Sequence, residues 1–215
     1  MIRIPEPELV REDKYKNTTI KIIRGDVTKI GSAAIVCPTN AYLAENSGLT
    51  SYLREVAGRR VLFELQRSFI NPLNPGEIIV TSAGDLPANH LFNCCIPNTN
   101  SVDSLQFLRL LILKILEKCE DISSGTIIIP CLPTASYGFS AFECASVYWE
   151  TVCNYLSVYT ETVIKEVKFV TLDMEATDLF IQEAEKHLNA KRKSSFFDNI
   201  FKRKQKPNSS DIELK

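Results

Sequence analysis

Short β-branched runs alternate along this chain with longer stretches of helical period, and that alternation restricts the possible folds more than any other feature. Residues 126–130 read TIIIP, too short and too uniformly apolar for an amphipathic helix but suited to a strand covered on both faces. Comparable runs occur at 19–24 (TIKIIR), 33–36, 77–81, 91–95 and 163–172, most of them ended by Gly, Pro or Asp. Between them lie helical patterns. Leu49, Leu53 and Val56 recur at helical spacing across 48–57, and a second helical piece follows at 59–69. Leu105, Leu108, Ile112, Ile115 and Cys119 share one face of a long helix. Two further helices are predicted at 142–159 and at 176–188, the second with Leu179, Phe180, Ala184 and Leu188 inward. The order predicts an α/β chain, a three-layer α/β/α sandwich with a mixed, mostly parallel central sheet. In such a fold ligands bind in loops at the carboxyl ends of the strands.

With 215 residues the chain can bury one sizeable core without disulfides or metals. The expected organisation is a polar arm over 1–17, one domain over 18–190 and a basic tail over 191–215. That tail carries KRK at 191–193 and KRKQK at 202–206, with Phe196, Phe197, Ile200 and Phe201 as its apolar exception. A net charge of -1 names no partner, and nucleic acid is a candidate only through the tail. The apolar run from Leu105 to Leu116 is interrupted by Gln106, Arg109 and Lys114, so no transmembrane segment is expected. The first residues, MIRIPEPELVREDKYK, lack the apolar stretch of a secretory leader, and an intracellular protein, cytoplasmic or nuclear, is expected. Seven cysteines without a C-x-x-C pair read as reduced, buried thiols. With two histidines, a zinc site or a nucleophile–His relay has few parts, and no metal or cofactor is expected.

Three collinear segments carry a family resemblance: RGDVTKI at 24–30, AIVCPTNAYL at 34–43 followed by SGLTSYLREVAG, and IIIPCLPTASYGFS at 127–140. Each alone is weak, but in this order and spacing they resemble the macro domain, with the likeness running over roughly 18–188. The character is nearest to the macro domains of the macro-type histone variant and of ADP-ribosyltransferase proteins. The resemblance implies a module that binds ADP-ribose or mono- or poly-ADP-ribosylated protein. It places an adenine-amine acceptor on Asp26, with the Val27 backbone beside it, and a distal-ribose contact on Asn40. A carboxylate suits the first role, because a buried amino donor gains most from a charged acceptor.

The resemblance also implies two diphosphate loops whose backbone N–H groups converge on the phosphates. Here they are ENSGLT at 45–50, contributing Gly48, Leu49 and Thr50, and TASYGF at 134–139, contributing Thr134, Ala135, Ser136, Tyr137, Gly138 and Phe139. Glu45, Asn46, Ser47 and Ala135 stand where the family has glycines, and Glu45 near a diphosphate repels it. Leu172 stands where the histone-type branch has a Phe against the base, so no aromatic stacking is expected there. Resembling hydrolases carry an acid at the position of Thr50 and a His at that of Asn93. Lacking both, the chain is expected to bind without hydrolysing, and Thr50→Asp would give slow turnover at most. An ADP-ribosyl hydrolase with an atypical active site, or a degenerate scaffold for protein interactions, are the alternatives.

Overall fold

The computed structural model describes residues 4–44, 48–96, 104–132 and 138–188. Among these residues the sheet has seven strands: β1 (Glu8–Tyr15), β2 (Thr18–Arg24), β3 (Ser32–Thr39), β4 (Ile78–Ser82), β5 (Ala88–Cys95), β6 (Thr126–Pro130) and β7 (Glu166–Thr171). Their order is β1-β2-β7-β6-β3-β5-β4. The inner strands β2, β7, β6, β3 and β5 run parallel, and each edge adds one antiparallel strand. This is the expected mixed, mostly parallel sheet.

Two apolar layers flank it. On one face α1 (Gly48–Ala57) and α2 (Arg59–Ser68) cover Ile35, Cys37, Leu91 and Ile128 through Leu53, Ala57, Val61 and Leu65. On the other, α3 (Ser104–Asp121), α4 (Ala141–Val158) and α5 (174–188) bury a larger core. There Trp149 meets Phe169 edge-on at 5.4 Å, and Tyr148 meets Phe180 at 5.8 Å. Ser140 starts α4 with a capping box: its Oγ accepts from the Glu143 N–H at 3.1 Å, and its own N–H donates to the Glu143 carboxylate at 2.7 Å.

Two local readings differ from the sequence expectation. Residues 8–15, expected to be an arm, form the edge strand β1, joined to β2 by a tight turn with Lys16 at φ 54°. A mostly exposed edge strand needs no alternating apolar pattern, and its Arg11, Glu12, Asp13 and Lys14 guard the open edge. In α1 the buried stripe is Thr50, Leu53, Arg54 and Ala57, not Leu49, Leu53 and Val56. The helix is rotated because its polar inward groups find backbone partners, while Leu49 turns toward a cleft. Among the described residues no helix is long and apolar enough to cross a membrane. No disulfide joins the cysteines, and no cluster of described His, Cys, Asp and Glu residues could hold a metal.

Candidate ligand-binding site

A cleft of about 420 Å³ opens where β2, β6 and β7 end at their carboxyl termini. That volume suits a ligand of nucleotide size. Registers Arg24↔Thr171 and Pro130↔Val170 bring the three strand ends level, so the loops after them share one opening. Pro130 and Cys131 line it from β6, and Thr171 and Leu172 from β7. The Tyr148 hydroxyl, on the opposite layer, donates to the Pro130 carbonyl at 3.1 Å and fixes that strand end from behind. Burial pushes the Tyr148 phenol well above its ordinary pKa, so it remains a neutral donor.

Gly25 and Asp26 supply the polar edge. Gly25 sits at φ 138°, and a Cβ there would come within 2.7 Å of the Glu6 carbonyl oxygen. The chain therefore passes close beneath residues 5–7, the Asp26 N–H donates to the Pro5 carbonyl at 3.0 Å, and Ile4 joins the cleft wall. The Asp26 side chain caps the single 3₁₀ turn Val27–Lys29. Its Oδ1 accepts from the Thr28 N–H at 3.0 Å and the Thr28 hydroxyl at 2.7 Å. Its Oδ2 accepts from the Tyr52 hydroxyl at 2.9 Å. A carboxylate 4% exposed is held at the cleft with hydroxyl and amide donors only. Each carboxylate oxygen has two lone-pair sites, so Oδ2 has capacity for a second donor from a ligand.

Of the residues singled out in the sequence, Asp26, Val27, Gly48, Leu49 and Leu172 line this cleft together. Leu172 is half exposed there, ready to be covered. Asn40, Thr50, Gly138 and Phe139 do not line it. The Asn40 Oδ1 accepts from the Tyr42 and Ala44 N–H groups, each at 3.0 Å, and so shapes the turn after β3. The Thr50 hydroxyl, buried, donates to the Pro38 carbonyl. Phe139 is 1% exposed and belongs to the core under α3 and α4. Gly138, at φ 78°, is exposed. Thr134, Ala135, Ser136 and Tyr137 lie outside the described residues, as do Glu45, Asn46, Ser47 and the tail over 191–215.

Asn93 is wholly buried beside Cys37, its Nδ2 within hydrogen-bond distance of the Ile79 and Leu91 carbonyls and the Thr81 hydroxyl. Asp85 lies at the α1–α2 junction, its N–H on the Ala57 carbonyl at 3.1 Å. Neither group lines the cleft. Tyr52 was missed by sequence reading. One turn beyond Leu49 on α1, it shares that residue's face, so the placement of Leu49 in the cleft was the signal that could have found it.

The Macro domain family model matches residues 36–148. More than half of the chain is covered, and the chain belongs to the macro domain family. It is 29% identical over 167 residues to a macro domain-containing protein of Listeria monocytogenes, covering 75% of this chain and 94% of that protein. It is 24% identical over 179 residues to an uncharacterized protein of Thermotoga maritima, of whose length it spans only 30%. Among solved structures, the Oceanobacillus iheyensis macrodomain with ADP superposes with a TM-score of 0.80 at 21% identity, covering 86% of this chain and all of that one. A mutant of that macrodomain carries ADPR.

Proposed function

We propose that this chain is a binding module for ADP-ribose, free or attached to protein, and that it does not hydrolyse the attachment. The observation that supports this most is the placement of Asp26: a buried carboxylate at a strand end, beside a mostly apolar cleft, with an Oδ2 able to accept one more hydrogen bond. An adenine offers an amine to that acceptor and a flat apolar ring to Leu49, Val170 and Leu172. Tyr52 adds an aromatic ring to the same wall, which offsets the missing Phe at Leu172. The bound ligand of the Oceanobacillus relative agrees in chemical class.

Catalysis has fewer supports. Hydrolysis at the distal ribose needs a carboxylate or an imidazole to activate water. Thr50 and Asn93 turn inward and hydrogen-bond to protein backbone. Titration calorimetry with ADP-ribose tests the binding claim, and incubation with an ADP-ribosylated protein tests the second. Saturable heat with no released ADP-ribose is the expected pair of results. Release at an enzymatic rate favours the hydrolase alternative, and absence of heat favours the scaffold.

A further inference from the structure

The Asp26 carboxylate meets the cleft with most of its acceptor capacity already filled. A carboxylate offers about four lone-pair sites. Among the described residues three donors reach it. The Thr28 N–H and hydroxyl fill both sites of Oδ1, at 3.0 and 2.7 Å, and the Tyr52 hydroxyl takes one on Oδ2, at 2.9 Å. The remaining site is on Oδ2, beside the Tyr52 oxygen. A ligand amine that pairs with Asp26 therefore shares that oxygen with Tyr52.

The two ends of this bond are held independently. The backbone around Asp26 is tied by its own N–H to the Pro5 carbonyl at 3.0 Å and by the Gly25 N–H to the Thr171 carbonyl at 2.9 Å. Its Oδ1 is anchored within the 3₁₀ turn that it caps. On α1, the Thr50 hydroxyl donates to the Pro38 carbonyl and the Arg54 guanidinium to the Leu43 carbonyl, which pins the helix on one side. Tyr52 falls between these two in sequence, so at 3.6 residues per turn it projects from the opposite side. There it lines the cleft with Leu49, one turn before it. The Tyr52 hydroxyl thus joins two anchored elements, α1 and the end of β2, at the edge of the cleft.

We propose that Tyr52 is a positioning residue for base recognition: its hydroxyl occupies one lone pair of Asp26 Oδ2, fixes the direction of the other, and so tunes the cleft to a ligand with a single N–H donor there, as in a 6-aminopurine. This inference rests on the ADP-ribose reading and deepens it by assigning the amine selectivity to a particular pair of side chains. Without the hydroxyl, Oδ2 offers two sites to water and to the amine, and part of the binding free energy goes to ordering the carboxylate. With it, the acceptor is set before the ligand arrives. The role belongs to the hydroxyl and is separate from the apolar contact that the Tyr52 ring makes in the cleft wall.

Calorimetry on the intact chain with two ligands tests it: ADP-ribose, and the analogue whose purine lacks the 6-amino group. Wild type should prefer ADP-ribose. Tyr52→Phe keeps the ring and removes the hydroxyl. It should weaken ADP-ribose by about three- to tenfold and leave the analogue unchanged, so that the preference narrows by the same factor. Tyr52→Leu should show the same narrowing on top of a loss for both ligands, because the ring is gone as well. A hydroxyl that served only the packing of the cleft wall would weaken both ligands alike, and the preference would not move. Melts establish that each variant is folded. An equal loss with both ligands, or a preference that is unchanged or larger in Tyr52→Phe, overturns the proposal and leaves the ADP-ribose reading standing. Absence of heat with ADP-ribose in the wild type overturns both.

Discussion

Two buried charges border α1, and the protein treats them differently. Asp26, 4% exposed, meets three donors from Thr28 and Tyr52. Arg54, 1% exposed, meets two neutral acceptors, and among the described residues its Nε has no hydrogen-bond partner. The carboxylate needs no cation because short local donors satisfy it, and its cost is met within one 3₁₀ turn and one tyrosine. The guanidinium has five N–H groups to satisfy, more than the carbonyl and hydroxyl beside it can engage. A buried charge of the first kind is a finished element that can still accept from a ligand. The second kind is held by two neutral acceptors among the described residues.

The largest expected effect comes from giving Arg54 an internal partner. Thr50 precedes it by one turn on the buried stripe, so Thr50→Asp sets a carboxylate at i,i+4 from the guanidinium. Thr50→Asp in the Arg54→Met background should melt lower than the sum of the single changes, by a coupling of about 1–3 kcal/mol. Additivity in that double-mutant cycle would show that the two side chains do not meet. The same pairing predicts no gain of turnover in Thr50→Asp, because the new carboxylate is held inward.

The local reach of Arg54 can be read through its thiol neighbour. The Cys37 value is raised by burial, so the thiol favours the folded state fully below its ordinary value of 9.0. That contribution is lost as pH climbs from there toward about 12, where the folded thiol also ionises. Alkaline melts should fall less steeply over this window in Cys37→Ala. They should fall as steeply or more so in Arg54→Met, which removes the charge that opposes the shift. An unchanged slope in Cys37→Ala would contradict the assignment.

A smaller effect serves as the distant control. Ser140→Ala removes the capping box of α4 and should cost about 1 kcal/mol, a fall of roughly 2–4 °C in Tm. Neither charge lies on that helix, so ADP-ribose binding should persist at its wild-type affinity. A loss of binding would mean that α4 bears on the cleft, which other elements line.

How far the sequence could reach follows from these same residues. Inner strands such as TIIIP were legible because burial on both faces leaves an uninterrupted β-branched run. Strand β1 was not, because an edge strand owes its composition to solvent and to protection of its open side. Asp26 was legible through the segments around it, and Leu49 and Leu172 with it. Tyr52 and Arg54 were not, because apolar spacing alone mis-set the rotation of α1 by ranking Leu49 and Val56 above Thr50 and Arg54. Polar side chains that find backbone acceptors can occupy a buried stripe as stably as apolar ones, and periodicity does not register that.

The central claim is that Asp26 is the ligand-facing acceptor of the cleft, and calorimetry with ADP-ribose on wild type and Asp26→Ala tests it most directly. The substitution removes the adenine acceptor and should cost about 1–3 kcal/mol of binding. That is a weakening of roughly five- to 150-fold, and a melt of each protein establishes that both are folded. The account predicts saturable heat in wild type and heat that is lost or strongly weakened in the folded variant. Wild-type affinity retained by a folded Asp26→Ala would contradict it.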